Sequence, residues 1–159
     1  MGESHLDLGT DAGWVDAVLR HGATRAALQG ISAEQLEAVY ALAYADIQAG
    51  RFEEAIDRCG MLAQHDPGDR RFLVAFALCL QHLEQFESAA RFYGEALLLD
   101  ATDALCAFRI GECLGALGEL TDAREALEMA VKLSWLDTRH AEVREYAQQR
   151  LDELVGLGA

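Results

Sequence analysis

The 159 residues carry 13 basic and 27 acidic side chains, a formal charge of −14, with 52% hydrophobic residues and a single proline. That is enough apolar material for one folded domain of ordinary core size, and it excludes an acidic disordered tail or a proline-rich linker. One lysine, Lys132, stands against twelve arginines. A surface this acidic repels phosphate backbones and anionic lipid, so neither nucleic acid nor a membrane is an expected partner.

Residues 1–12 hold no lysine, arginine or apolar run and are expected to be a flexible N-terminus rather than a secretory leader. Leu6 stands where N-myristoylation wants Ser or Thr. Residues 13–31 form a separate block. Trp14, Val15, Val18 and Leu19 make an apolar stripe on one short helix, Gly22 interrupts it, and a second short helix runs to about Gln29 with Gly30 as its stop. A helix of about three turns is marginal in water without a partner. Two partners are open to this stripe: the chain that follows it, or the same helix of a second molecule. The negative charge opposes the second, so a dimer through this stripe is expected to be weak and strengthened by salt.

Over roughly residues 36–135 the chain repeats itself every 34 residues without gaps. QAGRFEEAIDRCGMLAQHDP, HLEQFESAARFYGEALLLDA and ALGELTDAREALEMAVKLSW align, bringing Ala55, Ala89 and Ala123 into register. Phe52, Phe86 and Leu120 coincide, as do Leu42, Phe76 and Ile110, the small residues Ala43, Ala77 and Gly111, and Gly50 and Gly118 with Glu84 between them. The small residues would let two helices approach closely. Gly50 suits a turn because it tolerates positive φ, and Pro67 lies where a second helix must stop. The pattern predicts first helices near 33–48, 69–82 and 103–116, and second helices near 53–65, 87–99 and 121–133. Ser32 with Gln35 reads as a capping box at the first start. After Trp135, a terminal helix is expected from Thr138, with Ala141, Val143, Tyr146, Ala147, Leu151, Leu154 and Val155 on a broad stripe that would cap the stack.

This period and pattern resemble the tetratricopeptide repeat, a helix–turn–helix unit. The resemblance implies an all-α solenoid of three repeats, about 36–69, 70–103 and 104–137, followed by the capping helix. It also implies which residues face the concave surface lined by the first helices. These are Glu37, Tyr40, Tyr44, Ile47 and Gln48 in the first repeat, Arg71, Val74, Leu78, Gln81 and His82 in the second, and Leu105, Phe108, Glu112, Gly115 and Ala116 in the third. The groove this describes is largely apolar and partly aromatic. Where one repeat class clamps a C-terminal carboxylate, this chain carries Tyr40, Tyr44, Ala75, Leu105 and Arg109, of which only Arg109 fits. An extended peptide with spaced apolar anchors is the ligand that suits such a surface.

Enzymatic chemistry finds no support. Nucleophile elbow, phosphate loop, dinucleotide fingerprint and HExxH are absent from the sequence, and the five histidines are scattered. Glu53 and Glu54 sit at a helix start, where they complement the helix dipole. The cysteines Cys59, Cys79, Cys106 and Cys113 make no CxxC pair and read as buried, reduced residues. No metal or cofactor is therefore expected.

The N-terminal third sharpens the resemblance. AVLRHGATRAALQGISAEQLEAVYALAYADIQAGRFEEA, with three repeats, a terminal helix and an acidic small chain, resembles the class II chaperones of type III secretion. Two positions depart from that pattern: Ala43 replaces a common glycine, and Ile47 a common aromatic. The resemblance implies a chaperone of the bacterial cytoplasm. It would hold extended N-terminal segments of hydrophobic translocator proteins in the groove, soluble and apart until secretion. It also implies a dimer through the N-terminal region, and in some members assistance to a transcription activator. A generic repeat scaffold for another complex is the competing reading, though it gives no reason for the 13–31 block.

Overall fold

The computed structural model describes residue 26 and residues 29–158. The 1–12 segment and the stripe of Trp14, Val15, Val18 and Leu19 lie outside the described residues. Seven α-helices follow one another among them: α1 (Ala33–Gln48), α2 (Phe52–His65), α3 (Arg70–His82), α4 (Phe86–Leu99), α5 (Ala104–Ala116), α6 (Leu120–Ser134) and, after a 3-10 turn at Thr138–His140, α7 (Ala141–Gly156). Each helix packs mainly on its predecessor and successor, as in a solenoid of helix pairs.

The helix ends repeat as faithfully as the helices. Gln35 N–H donates to Ser32 Oγ at 3.1 Å and Ser32 N–H donates to Gln35 Oε1 at 2.8 Å, the reciprocal capping box that opens α1. Asp69, Asp103 and Asp137, one repeat apart, accept from the backbone N–H of Arg71, Cys106 and Arg139 at 3.0, 3.0 and 2.9 Å. Inside each repeat the first helix ends in the same left-handed turn, with Gly50, Glu84 and Gly118 at φ 73°, 60° and 79°. The next N–H closes each turn: Arg51 to the Asp46 carbonyl at 2.8 Å, Gln85 to Leu80 at 2.8 Å and Glu119 to Leu114 at 3.0 Å. At the block preceding α1, Gly30 has φ 73° and Ile31 N–H reaches the Ala26 carbonyl at 2.9 Å, the helix stop expected there.

Packing follows the small residues. Ala43 and Ala55 share one buried cluster, Ala77 and Ala89 a second. In the third repeat a Cβ placed on Gly111 would lie 2.7 Å from two Leu127 carbons and 3.4 Å from the Ala123 carbonyl oxygen, so glycine is required. One repeat position in the second helices, occupied in turn by Cys59, Tyr93 and Leu127, is fully buried each time. Residue volume is thus traded between the paired helices rather than held constant, as close-packed interiors require. The uncharged, mostly apolar stretch from Phe72 to Leu83 becomes most of α3, with Phe72, Leu73, Ala75, Ala77, Cys79 and Leu80 buried. The stripe of α7 is narrower than its sequence implies. Val143, Ala147 and Leu154 are buried, while Tyr146 and Val155 are exposed. The terminal helix therefore closes the stack with one edge and leaves Tyr146 beside Phe108.

Glu84 is the described non-glycine residue with positive φ. L-residues there are strained by about 1–2 kcal/mol, offset in glycine by roughly 0.5–1 kcal/mol of lost backbone freedom. Glu84→Gly is therefore expected to stabilise the fold by about 0.5–1 kcal/mol. Thermal unfolding should show a midpoint about 2–3 °C higher; a lower midpoint contradicts the strain.

Candidate functional site

The first helix of each pair contributes to one face, and side chains tie those helices together across it. Arg71 on α3 reaches back to Glu37 on α1, with one contact of 3.3 Å to Oε2, and is also held by Asp69 at its own helix start. These two carboxylates raise the guanidinium's pKa above its ordinary value. So fixed, Arg71 lies over the Tyr40 ring at 5.1 Å and the Phe72 ring at 5.5 Å. Tyr40 sits 6.0 Å from Tyr44 and 5.5 Å from Phe72 by ring centroids. Burial pushes the Tyr40 hydroxyl upward in pKa, with Arg71 opposing, so the ring is neutral at physiological pH. Tyr44 is 50% exposed. On α3, Val74 and Leu78 are half-buried, and Leu78 packs on the same core cluster as Tyr40. The N-terminal half of the face is thus aromatic and apolar, with one cation whose charge is already matched.

The C-terminal half is different. Glu112 on α5 accepts from Arg109 Nη1 at 2.9 Å and from Gln81 Nε2 at 3.2 Å, and Arg150 Nη2 of α7 approaches it at 3.7 Å. Gln81 in turn accepts from the Tyr93 hydroxyl at 2.9 Å. Phe108 and Tyr146 lie 6.3 Å apart above a hollow of about 270 Å³ bordered by Arg109, Glu112, Gln149 and Arg150.

The residues expected on the inner face divide accordingly. Tyr40, Tyr44 and Arg71 are brought together, Leu78 packs on the same core cluster as Tyr40, Val74 packs instead on the cluster of Leu73 and Ala77, and Leu105 is 40% exposed at the start of α5. Ile47 and Phe108 are 9% and 6% exposed and belong to core clusters, so they act mainly as packing. His82 stacks flat on Phe52 at 3.9 Å beside the α3–α4 turn, and its burial, with Arg109 nearby, lowers its pKa. Arg109, the one residue that fits a carboxylate clamp, is already engaged by Glu112. Sequence reasoning missed Tyr146, Gln149 and Arg150. They follow the last repeat, where the 34-residue register gives no guide, although Tyr146 was visible as part of the terminal stripe. It also missed that the fully buried Cys59 and Cys79 place their sulfurs 3.9 Å apart. Burial raises Cys106 and Cys113 to about 11, so both are protonated thiols. Among the described residues no group of three or more His, Cys, Asp or Glu is arranged to hold a metal. Among them, too, no helix is long and apolar enough to cross a membrane.

Glu112 joins α3, α5 and α7 through charge-assisted hydrogen bonds. Its own side chain is 18% exposed, but Arg109 and Arg150 are 33% and 51% exposed, so solvent screening discounts the pairs. Glu112→Gln is expected to cost about 1 kcal/mol. The midpoint of thermal unfolding should fall by about 2–4 °C; no change would show that α7 is held by Val143, Ala147 and Leu154 alone.

Comparison with known proteins places this geometry. The tetratricopeptide-repeat family model matches residues 105–133. The low calcium response locus protein H of Yersinia pestis is 32% identical over 119 residues, which cover 75% of this chain and 71% of that protein. A chain of a T3SS complex from Aeromonas hydrophila superposes with a TM-score of 0.84 at 29% identity, covering 91% of this chain and 97% of that one. The type III secretion translocator chaperone SycD of Yersinia enterocolitica gives a TM-score of 0.74 at 30% identity over 83% of this chain and 98% of its own. In another structure SycD is in complex with a peptide of the translocator YopD, with a TM-score of 0.63, 29% identity and coverage of 76% and 97%. The repeat register, the all-α stack and these likenesses converge: the chain belongs to the family of tetratricopeptide-repeat translocator chaperones of type III secretion.

Proposed function

We propose that this chain is a cytoplasmic chaperone that binds extended N-terminal segments of hydrophobic type III translocator proteins along the face lined by α1, α3 and α5. The observation that carries the reading is the pair of Tyr40 and Tyr44 seated against the buried Phe72, with Leu78 packed on the same core cluster as Tyr40. These partly exposed tyrosine rings stand on a protein whose formal charge is −14. Exposed apolar patches on acidic proteins mark interaction sites. An extended peptide meets such a face with alternate side chains as anchors. The charge then keeps one loaded complex away from the next. Many modest contacts, rather than one deep pocket, leave release feasible. Dimerisation through Trp14, Val15, Val18 and Leu19 belongs to the same proposal. The chaperone needs neither nucleotide nor metal and turns over no substrate.

Four outcomes check this. Co-expressed with hydrophobic type III translocator proteins, the chain should form a soluble complex. Tyr40→Ala with Tyr44→Ala should weaken that complex about tenfold or more while the helical circular-dichroism signal persists. If affinity survives and stability falls by the roughly 3–5 kcal/mol of a lost buried aromatic, both tyrosines are core residues and the reading fails. Titration calorimetry with zinc and with ATP should give no saturable heat; a tight signal reopens a metal or nucleotide role. Sedimentation of the full chain should show a weak dimer that strengthens with salt; a monomer at every concentration and salt removes the dimer.

A further inference from the structure

The 34-residue register makes Ile47, Gln81 and Gly115 equivalent, yet they leave very different surfaces. Ile47 packs into the core with Ala43 and Cys79. Gln81 spans from the Tyr93 hydroxyl to the Glu112 carboxylate. Gly115 fills nothing, and a Cβ built on it meets no atom within 4 Å. The space left open is a hollow of about 310 Å³ between α5, α6 and α7, walled by Gly111, Gly115, Leu120, Leu127, Leu154 and Leu157. Glu112, Arg150 and Glu153 are the charged residues of its mouth, and the first two also border the hollow below Phe108 and Tyr146, so the cavity continues into the inner face.

We propose that this hollow is an anchor pocket for a bulky apolar side chain of the bound client segment, at the far end of the face from Tyr40 and Tyr44. The proposal rests on the client-binding reading above and extends it. The hollow is half open to solvent, and its leucine-rich wall offers water few partners away from the mouth. An extended segment entering it brings unpaired backbone groups. At the mouth Glu112 accepts an N–H, and Arg109 and Arg150 donate to a carbonyl. The occupant is a client rather than a second copy, because the hollow shares Glu112 and Arg150 with the one below Phe108 and Tyr146 and so continues the inner face along which the client lies. The client then crosses the whole face, with aromatic anchors on α1 and α3 and an apolar anchor between α5 and α7.

Selection of long random peptides displayed on phage tests this on the intact chain, alongside Gly115→Leu, Gly115→Ala and the Tyr40→Ala, Tyr44→Ala double variant. Because the Cβ space is open, both glycine variants should melt no lower than the parent. Gly115→Leu should lose a bulky apolar preference at one peptide position. It should bind a parent-selected peptide about tenfold more weakly while keeping the anchors that the tyrosine variant loses. Gly115→Ala should fall between, and decides the matter if the leucine variant does not fold. Identical selections and affinities for parent and glycine variants overturn the pocket and leave the groove standing. Altered self-association with unchanged peptide binding makes the occupant a second copy and also overturns it. Selection of no peptide by the parent overturns the client-binding reading and the pocket together.

Discussion

Close approach of paired helices at small side chains is the constraint on which the structure depends. Ala43 with Ala55, Ala77 with Ala89, and Gly111 against the backbone of Ala123 bring the two helices of each repeat together. Once those crossings are close, the large residues have fixed places. Cys59, Tyr93 and Leu127 fill one buried position in turn, and left-handed residues at 50, 84 and 118 turn the chain back each time. Neighbouring repeats then stack on apolar faces that none can bury alone, and the first helices are left side by side. The inner face is a consequence of that stacking.

Much of this was legible because the signals are local and recur. A capping serine, a positive-φ turn and an alanine at a crossing act within a few residues, so the expected helices fall within about a residue of those observed: 33–48 against Ala33–Gln48, and 121–133 against Leu120–Ser134. The three N-cap aspartates, in perfect 34-residue register, were equally readable and add a second periodic signal. The end of the chain was less legible. The terminal helix begins off the repeat register, after the 3-10 turn at Thr138–His140, so its face toward α5 follows from packing rather than counting.

Side-chain direction on the inner face was only partly legible. Tyr40 and Tyr44 can be placed by counting because they lie one turn apart on a single helix. Ile47 and Phe108 occupy equally valid face positions, yet neighbouring helices cover them, and that cover is a tertiary property. The Glu112 network and the Cys59–Cys79 approach join residues of different helices, 20 to 38 positions apart, whose meeting depends on how one repeat rotates on the next. Arginine placement shows the same dependence. Arg71, Arg109 and Arg150 all border the inner face, and each is matched by a carboxylate from its own or a neighbouring helix. The acidic chain thereby keeps its few cations where they shape the face without making it cationic.

The central claim is that a client segment lies along the face of α1, α3 and α5 and not on the opposite side of the stack. Photo-crosslinking reads this directly, with a benzophenone amino acid introduced at Tyr44 in one sample and at Arg91 on α4 in another, each in the soluble complex with a translocator client. The account predicts an efficient crosslink to the client from position 44 and none from position 91, although Arg91 is the more exposed of the two. Crosslinking from position 91 with none from position 44 would contradict it.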